Sequence, residues 1–329
     1  MADSQFQLDL ARFGPEGTER LDPEASRAWC RQLALGHYEN FSVLSRLVPV
    51  ELRDDFAAVY AFCRVADDLG DEIGDPQRSL ELLAWFREQL AEACDGEPTH
   101  PALVALKPVM ARHQLSRRHF EDLLSAFELD QVKTRYDSWD ELVGYCRLSA
   151  APVGRLVLEL LGESRDEAMI DLSDQVCIAL QLTNHWQDVR RDVLERDRIY
   201  IPREEYVASS DFARRLAATA QQGWGVDHTF LEESRRIIER CVNRTWSMYE
   251  KGQALLPRLG RRGRPLVELL MSGGVAVLRR VEEWNYETAL HRPRLGAPTK
   301  GVLLLKAWWT QRRMKNSAVD PAKGVSSSQ

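Results

Sequence analysis

The chain is short of several things at once. Its six cysteines (Cys30, Cys63, Cys94, Cys146, Cys177 and Cys241) include no C-x-x-C pair, which argues against a zinc site or a disulfide framework. Several sit inside apolar helical patterns such as YAFC and CIAL, where a thiol packs as a small hydrophobe. No apolar run approaches the ~18 residues of a membrane span. The opening MADSQFQLDLARFGPEG is polar and acidic, unlike a signal peptide, so a reducing cytoplasm is the expected setting. Positive charge is not in excess. The 44 Lys and Arg against 50 Asp and Glu leave a net charge of −6, which disfavours a nucleic-acid binder relying on phosphate neutralisation. Also lacking are internal repeats, a Ser/Gly-rich linker, convincing strand patterns, and a G-x-G-x-x-G following a strand.

What is present is helical. Hydrophobic residues make up 44% and charged residues 29%, as in an ordinary globular core with a solvated surface. Pro23 and Glu24 open an amphipathic segment that stops near Gly36. Pro49 precedes about 20 residues of helical pattern, VELRDDFAAVYAFCRVADDL, with proline near the favoured first turn. Asp75-Pro76 breaks the pattern before a segment from about Ser79 to Cys94. His100-Pro101 starts the next, Ser116 is an expected N-cap for RRHFEDLLSAFELD, and Ser138 with Glu141 has capping-box spacing. Long segments follow at about 165–194, 227–256 and 264–289, with a short one at 301–313. The reading is a single all-α domain of about a dozen helices over 23–313, preceded by a flexible segment 1–22 and followed by a disordered tail 314–329.

Two of these helices carry rows of oxygen donors. At 3.6 residues per turn, Asp67, Asp68 and Asp71 share one side in the order DD-x-x-D, continuing a line through Tyr60 and Arg64. Gln181, Asn184, Asp188 and Asp192 form a second row, N-x-x-x-D-x-x-x-D at its core. Both rows are flanked by apolar residues, so each helix is expected to be buried with its polar stripe facing a cavity. Carboxylates stacked four apart repel one another. Divalent cations relieve that repulsion, and Mg2+ takes oxygen ligands together with water and phosphate oxygens. Asp67, Asp68, Asp71, Asn184, Asp188 and Asp192 are therefore the candidate metal ligands, with Arg64, Arg198 and Arg191 placed to bind the oxygens of a diphosphate. One such stripe alone is equally a solvated helix face. Two on apolar helices, the second followed by Arg198-x-Tyr200-x-Pro202, favour the metal–diphosphate reading. The stretch D-D-L-G-D-E-I-G-D lacks the register of a calcium loop.

The stretches YAFCRVADDLGDE (60–72), YCRLSAAPVGRL (145–156) and QLTNHWQDVRRDVLERDRIYIP (181–202), supported by HYENFSVLSRLVP (37–49), resemble the squalene and phytoene synthase family of head-to-head prenyl synthases. The resemblance implies the all-α isoprenoid-synthase fold around a central apolar cavity, and about three Mg2+ ions binding with a diphosphate. Within the family, HYENFSV, SAAPVGRL and the N-x-W-Q-D-V core are most similar to the hopanoid-pathway branch that converts presqualene diphosphate and water to hydroxysqualene. The sister branch, which condenses two farnesyl diphosphates, usually has arginine where this chain has Gln187. His185 reads as a packed neighbour rather than a ligand.

The resemblance further implies catalytic roles for Tyr145, Arg64, Asp67 and Asp188. Substrate contacts are expected from His37, Phe41, Tyr60, Arg64, Val153, Gln181, Arg198, Tyr200 and Tyr286. Phe41, Val153, Leu156, Val157 and Leu182 are candidates for the wall that shields a carbocation. No reductant is expected, so NADPH is not an implied cofactor. The expected partners are a prenyl diphosphate and enzymes of the same pathway. His113 and His119 have no carboxylate at a useful spacing and read as surface residues. The basic cluster PRLGRRGRP (257–265) reads as an inter-helix loop. With KAWWTQRRMKN (306–316) it also offers a peripheral foothold on the inner membrane face. Two other activities compete with the lyase: a transferase condensing two farnesyl or geranylgeranyl diphosphates, and a catalytically silent binding subunit of a partner synthase.

Overall fold

The computed structural model describes residues 5–36, 47–209, 211–223, 227–296, 298–303, 307 and 310. Among them there are twelve α-helices and no strand; a lone bridge joins Arg135 to Ile199. The helices are α1 (Gln5–Phe13), α2 (Pro23–Gly36), α3 (Arg53–Asp71), α4 (Pro76–Asp95), α5 (Pro101–His113), α6 (Arg117–Asp130), α7 (Trp139–Ser149), α8 (Ala151–Leu161), α9 (Glu167–Arg196), α10 (Phe212–Gln222), α11 (His228–Gly252) and α12 (Arg264–Glu283).

The starts of these helices follow from capping. Asp75 accepts the amides of Gln77 and Arg78 at the head of α4, so Asp75-Pro76 is the start of that helix and not merely a break before Ser79. Asp166 caps α9 through the Met169 amide at 2.8 Å, and Ser138 caps α7 through the Glu141 amide. Glu141 in turn accepts from the backbone amides of Asp137 and Ser138, which closes the expected box. Ser116 stands at the N-cap position of α6 but its hydroxyl makes no capping bond. The last long segment ends at Glu283, earlier than expected, because Asn285 and Tyr286 both adopt left-handed backbone.

Two apolar clusters flank the middle of the molecule. One is built on α2 to α6, including Phe62, Phe86 and Phe120. The other surrounds α9 and takes Trp186, Phe230 and Tyr249. Helix α9 packs against α7, α8, α10, α11 and α12, while α3 packs against α2, α4, α5 and α6. Each stripe-bearing helix is therefore the centre of its own half.

The expectations for the N-terminal segment and for two histidines need correction. The segment before Pro23 is not featureless, since α1 occupies 5–13. Phe6, Leu10 and Phe13 fall on one face at steps of four and three, and Phe13 is buried edge-on to Trp29 at 5.9 Å. The polar composition around them had hidden that stripe. His113 and His119 are not surface residues either. Their Nε2 atoms lie 2.7 Å from Asp55 and 3.4 Å from Glu159, carboxylates on other helices that sequence spacing does not reveal. Arg262 pairs with Glu51 at 3.3 Å and the Gly260 amide donates to Glu163, as expected of an inter-helix loop. No helix among the described residues is long and apolar enough to cross a membrane. The tail 314–329 and most of 306–316 lie outside the described residues.

Candidate active site

Helices α3 and α9 bring their stripes to opposite walls of one cleft of about 740 Å³. Asp67 and Asp71 face it from α3, and Gln181, Asn184, Asp188 and Asp192 from α9. The ends of α6 and α7 contribute Phe127, Asp130, Tyr145 and Ser149. Six arginines and Lys300 line it against five aspartates, so the cleft as a whole is cationic and suits a polyanion more than a bare cation.

Asp68 is the exception among the six expected ligands. It is one residue, or about 100°, round the helix from Asp67. It turns toward a separate cavity of about 240 Å³ under α1, lined also by Trp29, Trp85 and His100. Burial pushes its pKa up to about 7. Arg64 reaches both neighbours, with Nη1 3.1 Å from Asp67 and Nε 3.1 Å from Asp68. Asp68 is thus placed to orient Arg64 rather than to ligate in the cleft.

The remaining carboxylates are also matched to guanidinium groups. Arg196 and Arg198 contact the two oxygens of Asp71 at 2.7 and 3.0 Å, joining the end of α3 to the end of α9. Asp197 makes this possible by taking left-handed backbone (φ 48°), which reverses the chain so that the Arg198 amide returns to the Asp192 carbonyl at 2.9 Å. Arg191 bridges Asp188 and Asp192 at 2.9 and 3.0 Å. Arg292 grips Asp188 through both Nε and Nη2. Burial holds the Asp192 carboxyl above its ordinary range.

Behind the carboxylates lies a wall of rings. Tyr145 donates its hydroxyl to Asp130 at 2.7 Å, and burial raises Asp130 to about 6. Tyr200 stacks on His185 at 3.7 Å between centroids and on Tyr136 at 5.8 Å. His185 is buried and held neutral, its pKa lowered to about 3 by desolvation, as befits a packed neighbour.

Ser149, Gln181 and Asn184 also border a second, largely apolar pocket of about 230 Å³. Its wall includes Val153, Val157, Leu180, Val267 and Leu270. Of the expected apolar wall, Val153 and Val157 are therefore in position. Leu156 and Leu182 are fully buried in the two cores, because they lie on the opposite faces of α8 and α9. Tyr60 packs half-buried against the first core and is not on the wall of the cleft. Tyr286 packs against the second core, turned from the cleft by its left-handed backbone. His37 and Phe41 lie outside the described residues.

Sequence reasoning missed Asp130, Arg196, Arg292, Arg294 and Lys300. Arg196 sat in a stretch already singled out for its chemistry, and Asp130 closed a stretch singled out only as a helix, RRHFEDLLSAFELD. Among the described residues no three acidic, His or Cys side chains form a ready-made cage for an ion. The donor set is nonetheless all oxygen, with two carboxylates on each wall. That suits Mg2+, which fills its octahedron with water and phosphate oxygens. Asp67, Asp71, Asn184, Asp188 and Asp192 could hold such ions.

Comparison with known proteins agrees with this geometry. The chain is 41% identical to the hydroxysqualene synthase of Rhodopseudomonas palustris over 66% of its own length and 70% of that protein. It is 39% identical to the hydroxysqualene synthase of Sinorhizobium fredii over 57% of its length and 63% of the relative. The aligned region thus spans about two thirds of these relatives. The crystal structure of squalene synthase HpnC from Alicyclobacillus acidocaldarius superposes with a TM-score of 0.71 at 38% identity, covering 80% of this chain and 95% of that one. Residues 35–299 match the squalene/phytoene synthase pattern, and the chain belongs to that family.

Proposed function

We propose that the protein converts presqualene diphosphate and water to hydroxysqualene and diphosphate, with Mg2+ held by Asp67, Asp71, Asn184, Asp188 and Asp192. The observation that carries this reading is the junction of the two cavities. A cationic cleft edged by two carboxylate stripes meets an apolar pocket across Ser149, Gln181 and Asn184, as an amphiphile with a diphosphate head and a hydrocarbon tail requires. The similarity to two hydroxysqualene synthases favours this branch.

Bound Mg2+ would supply charge neutralisation to the diphosphate leaving group. Arg64, Arg196 and Arg198, already converging on the α3 aspartates, add fixed hydrogen-bond donors for its oxygens. When the C–O bond breaks, the electron pair leaves with diphosphate and the cyclopropylcarbinyl cation opens to an allylic cation. Val153, Val157, Leu180 and Leu270 keep the hydrocarbon dry. Tyr145 has its hydroxyl proton committed to Asp130 and also meets the Tyr200 hydroxyl, so the paired phenols at the cleft wall offer acceptor oxygen that can orient a water toward the cation. The water oxygen forms the new C–O bond, and its surplus proton passes to the departing diphosphate.

Purified protein with Mg2+ and either presqualene or farnesyl diphosphate, with products identified by mass, tests the reading. Hydroxysqualene from presqualene diphosphate alone is expected. Turnover of farnesyl diphosphate to a thirty-carbon product would make the protein a head-to-head transferase instead.

A further inference from the structure

Residues 291–296, beyond α12, cross the rim of the cleft without helix or strand, yet they carry Arg292 onto Asp188 and Arg294 and Leu295 onto the cleft wall. Two points on α9 tie this strap down. The Arg190 amide donates to the Thr288 carbonyl at 3.1 Å, and the buried Gln187 amide donates to the Pro293 carbonyl at 2.5 Å. The second tie is adjacent to Arg292 on the strap and adjacent to Asp188 on the helix.

We infer that Gln187 is a positioning residue, which through Pro293 holds Arg292 on Asp188 as a placeholder that the metal-bound diphosphate displaces. This rests on the reading of Asp188 as a metal ligand. Arg292 engages both carboxylate oxygens and Arg191 takes a further position on Oδ2 at 2.9 Å, which together fill most of the lone-pair sites that a cation would use. Arg292 and the cation exclude each other. Once displaced, Arg292 remains tethered at the rim beside Arg294 and Lys300, within reach of the diphosphate whose metal displaced it. Asp188 is thus kept paired until the anion arrives, since an uncompensated buried carboxylate would be unfavourable, and metal binding is linked to that arrival.

The test uses the full chain and no prenyl substrate. Mn2+ uptake is followed by the electron paramagnetic resonance of free Mn2+, and inorganic diphosphate binding at saturating Mg2+ by calorimetry. Arg292→Gln is expected to tighten Mn2+ binding at least fivefold and to weaken diphosphate binding at least tenfold. Gln187→Met, which keeps the shape but loses the donor, should shift both in the same directions by smaller factors. Gln187→Arg, which keeps a donor, should restore them toward wild type. Gln187→Met combined with Arg292→Gln should do no more than Arg292→Gln. Unchanged Mn2+ affinity in Arg292→Gln, or a Gln187→Met protein altered only in melting temperature, would overturn the inference while leaving the metal site standing. Absence of Mn2+ uptake by the wild type even with inorganic diphosphate present, beyond what diphosphate alone binds, would overturn both.

Discussion

Asp130 gives the most demanding test of the site's electrostatics, because it is a carboxylate kept in the wall by contacts that only partly compensate its burial. It is 7% exposed. It accepts from Tyr145, and its nearest cation, the Arg198 Nη1, is 3.8 Å away. Burial outweighs both and lifts the pKa from the ordinary 3.8 to about 6. The sign follows from linkage: the folded value lies above the unfolded one, so the folded chain holds the extra proton between about pH 4 and 6. The stabilisation is fully present below the unfolded value and is lost as pH rises through about 6. At ~1.4 kcal/mol per pKa unit the whole span is roughly 3 kcal/mol, of which about half falls between pH 5 and 7.5. Asp130→Asn keeps an amide oxygen for Tyr145 and does not titrate. With an unfolding entropy of ~2 cal/mol/K per residue over 329 residues, 1.5 kcal/mol is about 2 °C in melting temperature. Thermal melts of both proteins from pH 5 to 8 should therefore show the wild type losing about 2 °C relative to the variant. Parallel curves, or divergence in the other direction, would refute the assignment of Asp130 as a buried, net-destabilised carboxylate.

The two stripes make a graded prediction. Asp71→Asn and Asp188→Asn should each lower turnover by roughly 100-fold, as loss of a metal-holding group does, while Asp68→Asn, turned from the cleft, should lower it by less than about tenfold; equal losses in steady-state assays would contradict the placement of Asp68. Mg2+ with inorganic diphosphate at a hundred times the Kd should stabilise the fold by about 2.7 kcal/mol, a rise of roughly 4 °C by scanning fluorimetry, and EDTA should abolish it. At Gly154 on α8, a methyl group would lie 2.4 Å from Cys177 Sγ and 2.7 Å from Ser173 Oγ of α9. Gly154→Ala should cost about 1–3 kcal/mol by overpacking and shrink the apolar pocket, which a denaturant titration and a raised KM would report.

What the sequence revealed and what it hid divide along a physical line. Periodicity is a local property, so the four-residue steps of Asn184, Asp188 and Asp192 were enough to put them on one face, and apolar flanks were enough to bury the helix that carries them. The same logic misjudged Asp68: DD-x-x-D shows that three carboxylates are near one another but not on which side of the helix the cavity opens. Leu156 and Leu182 failed for that reason too, being apolar neighbours of wall residues on the wrong face. Arg292 was hidden because its relation to Asp188 depends on how a non-helical strap is pinned more than 100 positions downstream, and no spacing rule spans that distance. Gln187 illustrates both cases. Its identity stood out as a departure from a sister branch, yet its hydrogen bond to a proline carbonyl could be seen only in three dimensions. A residue that marks the branch in sequence is, in the fold, the one that ties a cationic strap to the metal-binding helix. Branch identity and control of the cleft therefore meet at one side chain, and exchanging it for arginine tests whether they can be separated.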